Sequence, residues 1–163
     1  MGDLFMRREA VISGCGQYRY LLRRVWDEDK EQVTFVMLNP STADAETDDA
    51  TIRSCVRLSK SWGYGGFGVV NLFAWRATDP KELTKAVDPI GPMNDDHIET
   101  AVVYTDFTVC AWGAHKMAAE RAPRVLDIIC RRRDYAHCIG TTKSGAPKHP
   151  LYIKTGTMPE IYP

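Results

Sequence analysis

Side chains able to bind and move protons recur where the apolar runs of this sequence stop. Asn39 follows the run Val33 to Leu38 and opens Asn39-Pro40-Ser41-Thr42. Asn71 lies within Val69-Val70-Asn71-Leu72-Phe73, Trp112-Gly113-Ala114-His115 ends a third run, and Gly140-Thr141-Thr142-Lys143 leads into Lys148-His149-Pro150. An amide offers a paired donor and acceptor suited to the edge of a planar ligand. An imidazole exchanges a proton near neutral pH, and a lysine holds an anion as a point charge. No Asp or Glu stands directly at these ends, so neither a stacked-carboxylate metal site nor a carboxylate-pair glycoside mechanism is indicated. The five cysteines, Cys15, Cys55, Cys110, Cys130 and Cys138, are odd in number and never spaced C-x-x-C. That argues against a disulfide framework and a structural zinc site. Cys55, Cys110 and Cys138 sit in apolar surroundings and read as small buried hydrophobes. P-loop, Rossmann glycine, GxSxG and HExxH motifs are missing. No cofactor and no metal are expected.

Each of these residues also has a plain structural reading. Asn-Pro after a strand is a common turn. Asn71 inside an apolar strand must find hydrogen bonds, either from a backbone group or from a ligand edge. His149 reads as a loop residue or a site residue, Trp112 as core or as a stacking platform, and Asp48-Asp49 as a helix start before a metal pair.

The elements that would position them follow from periodicity. Residues 8–13 and 17–26 flank Gly14-Cys15-Gly16 and read as a hairpin. Val33 to Leu38, Phe67 to Phe73, Phe107 to Trp112 and Tyr135 to Gly140 read as buried strands. Helices are predicted from about Asp48 to Trp62, capped by Thr47 or Asp48, and then from a cap at Asn94 or Asp95. A third runs to Arg133 with a break or restart at Pro123. The order implies an α/β fold: a three-layer α/β/α arrangement with a central, mainly parallel four-stranded sheet plus the N-terminal hairpin. Ligands of such sheets bind outside the carboxyl ends of the strands. A chain of 163 residues suits one domain, 1–163, with residues 1–30 as a hairpin extension. The composition, 44% hydrophobic and 26% charged, is that of a globular protein. No apolar run approaches the roughly 20 residues of a membrane span, and the first residues lack the apolar core of a secretory signal. A cytoplasmic location is expected. The zero formal net charge argues weakly against nucleic acid, so local basic groups matter more: Arg23-Arg24, Arg131 to Arg133, and Lys143, Lys148 and Lys154.

Two resemblances bear on function. The stretch Met37-Leu38-Asn39-Pro40-Ser41-Thr42-Ala43-Asp44, with Asp48-Asp49-Ala50-Thr51-Ile52-Arg53, Val70-Asn71-Leu72-Phe73 and Lys148-His149-Pro150-Leu151-Tyr152, resembles a bacterial and phage domain family of unknown function. More distantly, the chain resembles the uracil-DNA glycosylase superfamily. Leu38-Asn39-Pro40 is similar to the Asn-Pro first motif of its mismatch-specific branch. Gly68-Val69-Val70-Asn71 is similar to its base-reading strand, Trp112-Gly113 to a recurring strand end, and His149-Pro150 to the start of its last motif.

That second resemblance implies a monofunctional DNA glycosylase that flips a nucleotide into a pocket. Asn39 would orient the attacking water and His149 would donate to the departing base. Asn71 would read the base, with Pro40 and Ser41 shaping the pocket. Phe73, or else Trp75 or Tyr64, would stack on the base, and Lys143 and Lys148 would hold DNA phosphates. Where the uracil-specific branch has a Tyr that blocks the pyrimidine 5 position, this chain has Ser41. The implied base is therefore a 5-substituted pyrimidine, such as hydroxymethylated or glucosylated cytosine of phage DNA. The last motif lacks the Ser-Pro-Leu-Ser continuation, so the resemblance does not extend to Leu151 as a wedge. A monomer acting on double-stranded or single-stranded DNA is expected. A non-catalytic modified-base binder and an enzyme of free nucleotides or nucleosides are the alternatives.

Overall fold

The computed structural model describes residues 5–163. Its strands are β1 (Arg7–Ile12), β2 (Arg19–Val25), β3 (Gln32–Met37), β4 (Gly66–Asn71), β5 (Phe107–Cys110), β6 (His137–Cys138) and β7 (Glu160–Ile161). Its helices are α1 (Ala50–Ser61), α2 (Asn94–Tyr104) and α3 (Lys116–Cys130), with a short 3-10 helix at Pro80–Lys85. One seven-stranded sheet runs β1-β2-β4-β3-β5-β6-β7. Its central pairs, β4 with β3, β3 with β5 and β5 with β6, are parallel. The architecture is mixed α/β with a mainly parallel central sheet flanked by helices.

Alternation along the strands builds two cores. Val33, Phe35 and Met37 of β3 join Phe67 and Val69 of β4 against Ile52, Cys55 and Leu58 of α1. Val36, Leu38 and Val70 face the other way, toward Ile98 and Val102 of α2 and Val125 and Ile129 of α3. Strands buried on both faces need near-continuous apolar sequence, which β3 and β4 have apart from Gln32, Thr34 and Asn71. Gly66 is required where β4 meets β2, because a Cβ there would come within 2.7 Å of the Arg24 carbonyl oxygen.

The sheet is larger than the predicted four strands. The hairpin is not an appendage: β2 runs antiparallel to β4, pairing Leu22 with Val69. At the far edge β7, from the tail, pairs antiparallel with the two-residue β6. Both additions cover the backbone donors and acceptors that an open parallel core would expose. Helix α3 runs unbroken through Pro123. The proline is exposed, as is Ala119 four residues before it, so water can serve the carbonyl that proline leaves without a partner. The α1 cap is Asp49, whose carboxylate accepts from the Ile52 N–H at 2.9 Å, and not Thr47 or Asp48. Asp48 instead pairs with the buried Arg24 at 2.8 Å and with Arg8 at 3.1 Å. Asn94 is the first residue of α2 and caps nothing with its side chain.

Asn94 has another task. Its Nδ2 donates to the carbonyls of Asn71 at 2.9 Å and Leu72 at 3.1 Å, and Arg121 Nε donates to the Leu72 carbonyl at 3.0 Å. These bonds hold the end of β4 where its backbone leaves the sheet. Asn94→Ala removes the side-chain donor from the Asn71 carbonyl and leaves the Leu72 carbonyl to Arg121 alone, so it should cost about 1–3 kcal/mol of stability. Urea denaturation measures this, and an unchanged midpoint would refute it.

Candidate active site

A cavity of about 300 Å³ opens at the carboxyl ends of β3, β4 and β5, on the α1 side of the sheet. The chain leaves β3 toward β4 and leaves β5 toward β6, in opposite directions across the sheet. The cavity therefore sits at the switch point where open α/β sheets form ligand crevices. Asn39, Ser41, Asn71 and His149 all line it, and so do Trp112, Arg19 and Asp49.

Asn71 is the last residue of β4 and points to the α1 side, by alternation with Phe67 and Val69. It is only 1% exposed. Among the described residues, neither its Oδ1 nor its Nδ2 has a hydrogen-bond partner. Native proteins pair nearly all such buried groups, so this amide is set for a molecule in the cavity.

Asn39 is two residues past β3. Its Nδ2 donates to the Pro40 carbonyl at 3.0 Å and to the Ala77 carbonyl at 2.9 Å. Two acceptors on one side of an amide settle which end carries nitrogen, so Oδ1 is the acceptor this residue offers to the cavity. The Pro40 carbonyl also accepts from the Ala77 N–H at 2.9 Å, which closes the turn.

His149 arrives on the loop after β6. That loop is docked by the Gly113 N–H donating to the Pro147 carbonyl and the Lys148 N–H to the Gly140 carbonyl, each at 2.9 Å. His149 Nδ1 accepts from the Leu151 N–H at 3.1 Å, so the neutral ring carries its proton on Nε2. Burial pushes this imidazole below the ordinary histidine value, and the charge of Asp49 opposes that only in part. The neutral form is favoured by folding. Its contribution to stability is complete above the ordinary value of 6.5 and is lost as pH falls through the lowered folded value. His149→Asn keeps an acceptor for Leu151, and should flatten the acid limb of a stability-versus-pH curve. Superimposable curves for the two proteins would contradict this.

The remaining predicted residues lie elsewhere. Pro40 is buried beside Asn39 and acts through its carbonyl. Phe73 is buried in the core on the α2 and α3 side and does not line the cavity. Trp75 meets Tyr18 edge-on and Tyr64 packs on Phe107. Trp112 is the aromatic residue that lines the cavity, but its side chain belongs to the same α2 and α3 core as Phe73, where it meets Tyr162 edge-on with centroids 5.9 Å apart. Lys143 and Lys148 are exposed on the loop that carries His149, outside the lining.

Sequence patterns passed over Arg19 and read Asp49 only as part of a helix start or a metal pair. Arg19 begins β2, and only the antiparallel pairing with β4 brings that end of the strand to the rim. Asp49 enters through the N-terminus of α1, so a carboxylate reaches the cavity although none stands at a strand end. Among the described residues, no group of three or more His, Cys, Asp or Glu is arranged to hold a metal ion. Cys55, Cys110 and Cys138 are buried free thiols, and Cys15 and Cys130 are exposed.

Fold and cavity together define an α/β protein with a ligand-sized site, lined by polar and apolar residues, at the carboxyl rim of a mainly parallel sheet. The chain belongs to the DUF1643 family, described as a protein of unknown function, whose model matches residues 19–151. That stretch contains every residue lining the cavity. No curated protein matches the sequence. Among solved structures, the chain is similar to the hetero-hexameric glutamate dehydrogenase from Thermus thermophilus in its leucine-bound form. The identity is 14% over 77% of this chain and 30% of that one, with a TM-score of 0.33. So slight a likeness carries no conclusion about fold or activity. No helix among the described residues is long and apolar enough to cross a membrane.

Proposed function

We propose that this protein is a monofunctional DNA glycosylase of the uracil-DNA glycosylase-like, three-layer type. It would hydrolyse the N-glycosidic bond of a 5-substituted pyrimidine and leave an abasic site. One observation carries the reading: Asn39, Asn71 and His149, far apart in sequence, line one cavity in which the Asn71 amide is buried without a partner among the described residues.

In this reading Asn71 pairs with the edge of the flipped base, donating through Nδ2 and accepting through Oδ1. Asn39 Oδ1 accepts a hydrogen bond from a water and turns a lone pair of its oxygen toward the sugar C1′. The C1′–N bond breaks with its electron pair leaving on the base. The neutral His149 donates from Nε2 to the base oxygen where negative charge gathers. Water oxygen then bonds to C1′, and the strongly acidic adduct releases its proton to solvent. An amide serves here because a sugar cation needs an oriented water more than a strong base. Ser41 leaves space beside the pyrimidine 5 position. The exposed Lys143 and Lys148 flank the same loop and suit backbone phosphates. Excision of modified cytosine in the cytoplasm would restrict phage that carry such DNA.

Purified protein incubated with oligonucleotides bearing uracil, a thymine mismatch, or 5-hydroxymethylated or glucosylated cytosine should yield abasic sites in at least one 5-substituted substrate. Alkali cleavage detects them, and intact strands throughout would end the proposal. The zero net charge favours a second reading, an enzyme of free nucleosides. Its affinity would be nearly independent of salt, whereas phosphate contacts give a steep slope.

A further inference from the structure

Two arginines of β2 are buried, and they are served very differently. Arg24 is fully buried and well paired. Nε donates to Asp48 at 2.8 Å, one terminal nitrogen to the Arg23 carbonyl at 2.9 Å, and the other to the Asp44 carbonyl. Its work is structural. Arg19 is 3% exposed, donates from one terminal nitrogen to the Ala43 carbonyl at 2.7 Å, and has a buried Nε with no partner among the described residues. It also lines the cavity. A guanidinium has five donors, and burying it with its Nε unserved is costly. Burial lowers its proton affinity to about 10, with the charge of Asp49 opposing. Asp49 lines the same cavity, and one of its oxygens is committed to the Ile52 N–H.

A ligand group meeting both residues must accept from Arg19 and donate to Asp49. A phosphate satisfies the first and is repelled by the second. A methyl group satisfies neither. A hydroxyl does both, since it carries one donor and two acceptor lone pairs. We infer that Arg19 and Asp49 form a specificity wall for a hydroxyl-bearing group on the bound base. The inference rests on the proposed function for its choice of base. It narrows the substrate class to hydroxylated 5-substituents, such as hydroxymethyl and sugar-bearing ones, over methyl. Ser41 gives the space, and the pair supplies the recognition.

The test uses the full chain and two free nucleosides, 5-hydroxymethyl-2′-deoxycytidine and 5-methyl-2′-deoxycytidine, with binding measured by calorimetry. The wild type should bind the hydroxylated nucleoside at least about tenfold more tightly, the scale of one charge-assisted hydrogen bond. Asp49→Asn keeps a residue that caps helices well, so it should stay folded, with a lower melting temperature because Arg19 loses a countercharge, while losing the preference. Arg19→Lys keeps one donor for Ala43 and should lose most of it. Equal or undetectable binding of the two nucleosides by wild type would overturn the inference, as would a preference surviving in a folded Asp49→Asn protein. The two readings fail separately. A preference without abasic product on DNA would sink the glycosylase and leave the wall standing, whereas excision of methylated and hydroxymethylated cytosine at equal rates would sink only the wall.

Discussion

Alanine at position 39 should slow base excision by about 10²–10³-fold, the cost of losing one preorganised polar group in a catalytic site, while affinity for the modified DNA changes little. The asymmetry follows from how Asn39 is held. Its Nδ2 is committed to the Pro40 and Ala77 carbonyls, so Oδ1 is fixed before any ligand arrives and needs no reorganisation during the reaction. That oxygen acts on the attacking water, which the substrate does not supply, so the loss falls on kcat and not on KM. Asn39→Asp makes a sharper comparison. A carboxylate is the better base, yet it has no hydrogens for the two carbonyls and would face them with like partial charge. The variant should therefore lose about 1–3 kcal/mol of stability. Single-turnover kinetics and urea denaturation separate the two effects. An Asn39→Ala protein with the wild-type single-turnover rate would remove Asn39 from the chemistry.

Leucine at position 71 should produce opposite changes in stability and function. Both polar atoms of Asn71 are buried without partners among the described residues, and replacing an unserved amide by an apolar group of comparable reach relieves a penalty of about 1–3 kcal/mol. Leucine branches at Cγ as asparagine does and has the same number of side-chain heavy atoms, so the replacement adds little bulk. The variant should unfold at higher urea than wild type and yet fail to bind or process a pyrimidine, because the base edge loses both hydrogen bonds at once. Sites evolved for ligands commonly trade stability in this way. A destabilised Asn71→Leu protein would show that the amide serves the fold. A stabilised and fully active one would show that it does not read the ligand.

The residues bearing these predictions were visible early because of where apolar sequence stops. Val33 to Leu38 is too apolar to lie anywhere but inside, so Asn39 had to emerge at its end. Asn71 interrupts a run that otherwise tolerates only apolar side chains or glycine. Phe73 shows where such reading fails. A longer β4 would have sent residues 71 and 73 to the same side. The strand ends at Asn71, however, and the backbone turns, held by Asn94 and Arg121, so Leu72 and Phe73 both enter the core around α2 and α3. Among the described aromatic residues, Trp112 and not Phe73 touches the cavity, and its ring too is packed into that core.

Local sequence determined the buried strands, the helix over residues 50–61 and the polar residues at the strand ends, because periodicity and burial act over a few residues. Only the tertiary structure decided that Asn39, Asn71 and His149 share one cavity and that Arg19 and Asp49 complete its wall. That outcome depends on which strands pair and in which direction. Arg19 reaches the carboxyl rim because β2 runs antiparallel to β4, and Asp49 because α1 starts where β3 has just ended. Strand pairing joins residues dozens of positions apart, and no local pattern of hydrophobicity carries that information.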